Sequence, residues 1–462
     1  MTHRVDARVI ERLRDACPGV LTDEESLAQY GHDETEDLRF PPSVVVKPRT
    51  TEEVSAIMRL ANEERVPVTP RGAGTGLSGG ALAVEGGIVL SIELMNRIVE
   101  IDRENLVAVV EPGVITQVLQ EEVEKVGLFY PPDPASRGSC TIGGNIAECA
   151  GGPRALKYGV TKDYVLGVQV VLTSGEVAEF GGKLFKDVTG YSMTQLFVGS
   201  EGTLGIVTRA VLRLIAYPPH RKTLIVPFRQ TEDAAAAVAR IFQAGVMPCA
   251  CELMERDVVK RIEEYRGVHV PSSDAEAQLL IEIDGHYEDV LDRDLEKIAG
   301  VCESTGAGDI LVAENPKKQQ ELWDLRRSAG EAVKKISIYK EEDTTVPRAR
   351  LPELIRGVKA IALKHAIRTY CYGHAGDGNL HVNIVRGDMD AERWERELPK
   401  AVEEVFVLVK SLGGRISGEH GIGYSQKRYM PIVCTPAELD AMRAIKRALD
   451  PSNILNPGKI FP

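Results

Sequence analysis

The chain has 462 residues, 43% hydrophobic and 27% charged, the make-up of a globular protein with two or three domains. Its net charge of −12 argues against a nucleic-acid partner and against docking on an anionic membrane. The eight cysteines include no CxxC pair, no apolar run approaches ~18 residues, and MTHRVDARVIERLRD lacks a signal-peptide core. Reduced thiols in a cytoplasmic protein follow as the expectation, with no iron–sulfur cluster carried by the chain itself.

Residues 1–36 read as a polar, helical arm ending in GHDETED. Ser43–Val46 predicts a short buried strand. Thr51-Glu52-Glu53 then caps an amphipathic helix through Asn62, with Val54, Ile57, Met58 and Ala61 on one face. A strand at Val66–Thr69 delivers PRGAGTGLSGGA, residues 70–81, whose five glycines leave a run of backbone N–H groups open to a diphosphate. Gly74-Thr75-Gly76-Leu77-Ser78-Gly79 spells GxGxxG, but that fingerprint needs a helix to open directly after it. Only Ala81–Glu85 separate Gly80 from Gly86-Gly87 and the strand-like Ile88–Ile92. This is too short for a crossover helix, so the loop serves a phosphate-bearing ligand other than a Rossmann-bound NAD.

Further strands are expected at 107–111 and 168–173, alternating with helices to about Leu214. Three more rigid or glycine-rich loops lie in this half: Tyr130–Ser136, Thr141–Ala147 with Gly151-Gly152, and Gly199–Gly205. Each alone reads as an ordinary turn. Together they can line an elongated cleft for a ligand with a diphosphate and an aromatic ring.

Pro218-Pro219 marks a boundary, giving an arm at 1–36, a domain at 37–217 and a second at 218–462. The second half predicts strands at Thr223–Pro227 and Gln278–Ile283 and a helix at Thr231–Gln243. A helix over 312–335, a strand, a helix over 352–366, a strand at 380–384 and a long helix over 391–411 follow. Strand-then-helix rhythm implies an α+β domain with an antiparallel sheet.

Two motifs there carry chemistry: YGHAGDGNLHVN, residues 372–383, and SGEHGIG, residues 417–423. Gly376–Asn379 supplies a turn and Leu380–Ile384 alternates as a strand, so His381 and Asn383 share a face with Val382 on the other. His374 lies across the turn. Two imidazoles with the Glu419 carboxylate form a three-ligand set of the open catalytic type, and satisfied structural histidines are the alternative. The adjacent Glu419-His420, with glycines on both sides, weighs toward the functional reading.

PRGAGTGLSGGA, YPPDPAS, TIGGNIAECAGGPRALKYGVTKDYVLG and LFVGSEGTLGIVT resemble the flavin-binding domain of vanillyl-alcohol-oxidase-type FAD-linked oxidases. Within that superfamily the whole chain is similar to the glycolate oxidase FAD subunit and D-lactate dehydrogenase group. The resemblance implies an α+β protein. A two-subdomain FAD domain would precede a ferredoxin-like α+β substrate domain and a C-terminal segment returning to the flavin. It places the FAD diphosphate on Arg71, Gly72, Ala73, Gly74, Thr75, Gly76 and Ser78. Pro132, Asp133, Ser136, Gly143, Gly144, Asn145 and Ala147 would line the flavin, with Glu201, Gly205, Ile206 and Val207 near the adenosine and diphosphate. Asn456 is expected either to approach the isoalloxazine or to sit in a simply docked terminus. Some relatives tether FAD through a histidine where this chain has Thr75, so non-covalent FAD is expected unless a remote cysteine or histidine attaches it.

The same resemblance implies that His374, His381 and Glu419 bind a divalent metal (zinc, manganese or iron). His420 would be the base, Arg326 the carboxylate binder and Asn383 a substrate contact. The implied reaction is FAD-dependent oxidation of a small D-2-hydroxy acid, glycolate or D-lactate, to the 2-oxo acid. Relatives acting on 2-hydroxyglutarate carry a lysine where this chain has Glu341, and an acid there would repel a second carboxylate. Alternatives are that D-2-hydroxyglutarate-type dehydrogenase, a non-redox alkylglycerone-phosphate-synthase-like enzyme, and a non-catalytic FAD subunit of an electron-transfer complex. Expected partners are an iron–sulfur subunit or an electron-transferring flavoprotein as electron acceptor and further copies of the chain, with any membrane association peripheral through them.

Overall fold

The computed structural model describes residues 3–462, so the first two residues of the 1–36 arm lie outside the described residues. The chain forms two compact units. Among the described residues, the first comprises those up to 151, 159–217 and Glu419–Pro462, and the second Gly152–Tyr158 and Pro218–Gly418.

In the first unit, Val44–Val46 and Val68–Arg71 both pair in parallel with Ile88–Ser91, and Val20–Leu21 adds an antiparallel edge. The helix Thr51–Glu64 carries the chain from Val44–Val46 across to Val68–Arg71, the two strands that flank Ile88–Ser91. Thr50 caps its start through the Glu53 N–H, and Val54, Ile57, Met58 and Ala61 bury its apolar face. The arm holds helices at Ala7–Ala16 and Glu24–Gln29, and Val9 and Leu13 of the first pack on the same core. A second sheet of five antiparallel strands runs in the order Ile98–Asp102, Val107–Val110, Ile206–Arg213, Val165–Val171, Val177–Gly181.

Residues 419–462 complete the first sheet. Val68 donates to the Ile454 carbonyl and its own carbonyl accepts from Asn456, so the tail runs beside the strand that delivers the first glycine loop. Asp450 fixes the turn, accepting from the Ile454 and Leu455 N–H groups and from Lys446 at 2.5 Å.

The second unit is built on one seven-stranded antiparallel sheet. Its order is Leu311–Val312, His220–Phe228, Ala277–Gly285, Ala250–Glu255, Arg368–His374, Asn379–Val385, Tyr339–Thr345. The alanine-rich helix occupies Thr231–Gln243, as its period requires. The expected helix over 312–335 is divided. Leu311–Val312 is strand, Asn315 caps a helix from Pro316 to Arg327, and a shorter helix follows at Ala329–Lys334. Ser328 marks the break, and its hydroxyl donates back to the Leu325 carbonyl.

Candidate active site

In the first unit the loops converge on a cleft. It is lined by Arg71–Leu77, Ser136, Gly143–Asn145, Ala147, Glu148, Ser200–Gly202, Gly205–Val207, Glu419 and His420. Gly74 adopts a φ of +75°, and a β-carbon there would collide with the Arg71 guanidinium. A β-carbon at Gly76 would meet nothing within 4 Å. Arg71 is buried, and its Nη1 has no partner. An open glycine floor beside a buried, underused guanidinium fits a diphosphate-bearing cofactor.

Ser78, Pro132, Asp133 and Asn456 lie outside this lining. The Ser78 carbonyl accepts from the Tyr424 and Ser425 N–H groups at 2.8 and 3.1 Å, and the Pro132 carbonyl from Gln120 at 2.9 Å. Asp133 is buried. Asn456 donates to the Gly80 carbonyl at 3.0 Å and to the Glu201 carbonyl at 2.7 Å, tying two lining loops together. Thr75 lines the cleft, and among the described residues His420 is the one histidine that does so.

Glu148, which sequence reasoning did not single out, joins Glu201 in an acidic cluster of the cleft. Glu201 accepts from the Ile422 and Gly423 N–H groups at 2.8 and 2.6 Å, which anchors the segment following Glu419-His420. Burial pushes the Glu148 and Glu201 carboxyls up, and Glu201 raises Glu148 further. Lys459 donates to the Leu82 carbonyl and to Asn456 Oδ1, and burial lowers it to about 8 from its ordinary 10.5. Between those values the folded chain holds fewer protons on Lys459 than the unfolded chain does. Stability from this group therefore rises as pH climbs from about 8 toward 10.5, by up to ~1.4 kcal/mol per pH unit. Lys459→Met should flatten the denaturation free energy between pH 8 and 10, whatever its absolute stability. Parallel pH profiles for the two proteins would refute this.

In the second unit, strand register builds a polar face. Glu252 stands opposite His374, Tyr372 opposite His381, Asp343 opposite His381, and Glu341 opposite Asn383. Alternation places all seven on one side of the sheet, and all seven are buried. The His374 and His381 rings meet edge to face with centroids 5.3 Å apart. His374 Nδ1 lies 2.9 Å from both Glu252 oxygens, so any metal contact by His374 falls to Nε2. His381 Nδ1 lies 3.6 Å from Glu341 and from Asp343.

Arg326 reaches this group from the Pro316–Arg327 helix, which packs through Trp323. It is buried, with Nη2 2.6 Å from Glu252 Oε2, its guanidinium 5.0 Å from the Tyr372 ring centre, and Nε without a partner. Burial alone would push Glu252 up, yet His374 and Arg326 hold its carboxyl below the usual range. Burial and then Glu341 push Tyr372 up, which keeps its hydroxyl protonated. Asn383 is fully buried beside the Tyr372 hydroxyl, with no other hydrogen-bond partner for its amide, an arrangement suited to a polar ligand.

Gly418 ends the second unit, donating with Ser417 to Asp343 Oδ2 at 2.8 and 2.9 Å. Asn379 holds the other Asp343 oxygen at 2.6 Å. Glu252, Asp343 and Tyr372 were absent from the sequence-predicted set. Only the strand pairing reveals Glu252, since ACELME carries no motif.

Residues 42–181 match the FAD binding domain, so the glycine-lined cleft belongs to an FAD-dependent oxidoreductase. Residues 217–460 match the C-terminal domain of FAD linked oxidases, and the chain is a member of that family. It is 45% identical to glycolate oxidase subunit GlcD of Bacillus subtilis over 94% of this chain and 92% of that one. It is 38% identical to D-lactate dehydrogenase of Anaerostipes hadrus over 99% of this chain and 98% of that one. Its fold matches 4-ethylphenol oxidase from Gulosibacter chungangensis, with a TM-score of 0.79 at 21% identity over 99% and 97% of the two chains. That likeness establishes the vanillyl-alcohol-oxidase-type fold. Among the described residues, no helix is long and apolar enough to cross a membrane.

Proposed function

We propose that the protein oxidises a small D-2-hydroxy acid, glycolate or D-lactate, to the 2-oxo acid, using non-covalent FAD and a divalent metal. The observation that carries this reading is the buried polar face of the second unit. There, two imidazoles are in ring contact, and one of them, His374, shares the Glu252 carboxylate with an arginine that retains an unpartnered donor. The names of the relatives, a glycolate oxidase subunit and a D-lactate dehydrogenase, support the same substrate class.

His374 and His381, with Glu419, would hold zinc, manganese or iron. Glu419 follows directly on Gly418, whose N–H is bonded to Asp343, the strand neighbour of His381. An ion on these ligands would lower the hydroxyl pKa and stabilise the developing alkoxide. Bound FAD would supply the hydride acceptor. Arg326 would hold the carboxylate through its fork, Asn383 would orient the substrate, and His420 Nδ1 or Nε2 would take the hydroxyl proton. Glu341, buried opposite Asn383, would repel a second carboxylate and so favour monocarboxylates over 2-hydroxyglutarate. Electrons would leave to an iron–sulfur subunit or an electron-transferring flavoprotein, the protein being cytoplasmic and joined to any membrane through such partners.

An anaerobic screen of small D- and L-2-hydroxy acids, read by bleaching of the flavin absorbance, tests the reading. Fast bleaching by D-lactate or glycolate and little by 2-hydroxyglutarate is the expected pattern. Flavin that stays oxidised with every monocarboxylate would overturn it.

A further inference from the structure

We propose that Glu252 is a positioning residue that sets the metal-ligand histidine and the carboxylate-binding arginine together, through one buried carboxylate. The inference rests on the roles given above to His374 and Arg326. Glu252 lies in Ala250–Glu255, a strand outside both histidine motifs, and is fully buried as the register partner of His374. Both its oxygens lie 2.9 Å from His374 Nδ1, and Oε2 lies 2.6 Å from Arg326 Nη2.

Two consequences follow from that geometry. A carboxylate acceptor keeps the proton on Nδ1, leaves Nε2 as the basic nitrogen and fixes the ring plane, as outer partners of ligand histidines do. The same carboxylate holds one edge of the guanidinium while the Tyr372 face stacks beside it, and Nε is left without a partner, open to a ligand acceptor. With water excluded, neither partner has a solvent alternative to Glu252, and moving the carboxylate disturbs both. Ion affinity and substrate-carboxylate affinity thus share one support in the folded sheet.

The test uses FAD-loaded protein stripped with a chelator, titrated with Mn²⁺ by calorimetry and then reduced anaerobically with D-lactate. Wild type should bind one ion per chain. Glu252→Ala should bind Mn²⁺ roughly 10–100-fold more weakly. Glu252→Gln can still accept from His374 through its amide oxygen but offers Arg326 no charge. It should lose less ion affinity while raising KM for D-lactate at least ~10-fold, with kcat changed less. Flavin content equal to wild type separates this from general damage, and if the alanine variant does not fold, the glutamine variant carries the test. Wild-type Mn²⁺ affinity together with wild-type KM in Glu252→Gln would overturn the inference. Wild-type protein that takes up no ion would instead remove the metal reading, and this inference with it.

Discussion

Alanine at position 420 is expected to yield a protein that keeps its FAD yet is reduced by D-lactate or glycolate ~10²–10⁴-fold more slowly. His420 lines the same cleft as the glycine loops, and Glu201 pins the backbone just after it through Ile422 and Gly423. Removing the imidazole leaves that anchorage untouched, so cofactor retention and fold should survive. A general base contributes to the chemical step, so kcat and kcat/KM should fall together while substrate still binds. Stopped-flow absorbance at the flavin band reads this directly. Undiminished reduction in His420→Ala would exclude the histidine as the proton acceptor.

Arg326→Met should give the second large effect, on binding. Loss of a buried charged hydrogen-bond partner costs ~2–5 kcal/mol, or roughly 30- to 4000-fold in KM for the hydroxy acid. The same change leaves Glu252 at the centre of the sheet without its cationic neighbour, which should lower stability by ~3–5 kcal/mol. Arg326→Lys restores charge without the planar fork, so it should recover stability better than it recovers KM. Steady-state kinetics beside denaturant melts distinguish the two consequences. A lysine variant with wild-type KM would show that bidentate geometry is irrelevant here.

Much of the cleft was legible because it is built from backbone. Loops at 70–81, 141–147 and 199–205 advertise themselves by glycine spacing, and all three reach the lining. The turn at 376–379 likewise announces that His374 and His381 return to one place, and their rings do meet. Side-chain partnerships across the sheet were hidden. Glu252 and His374 are 122 residues apart and are joined only by register, which no local pattern encodes. The expected helix over 312–335 failed for local reasons: the proline pushes Asn315 out of the helical region and makes it a cap, and Ser328 breaks the helix again. Asn456 was visible as a tail residue, whereas its bonds to Gly80 and Glu201 required the tail to lie beside Val68.

The pairing of Val68 with residues 454–456 also constrains when this protein can mature. Chain synthesis delivers the glycine-bearing strand hundreds of residues before its neighbour from the tail exists. A nascent polypeptide halted ahead of Asn456 therefore lacks the segment that ties Gly80 to Glu201, and a cradle braced on both sides exists only after residues 450–456 have been made.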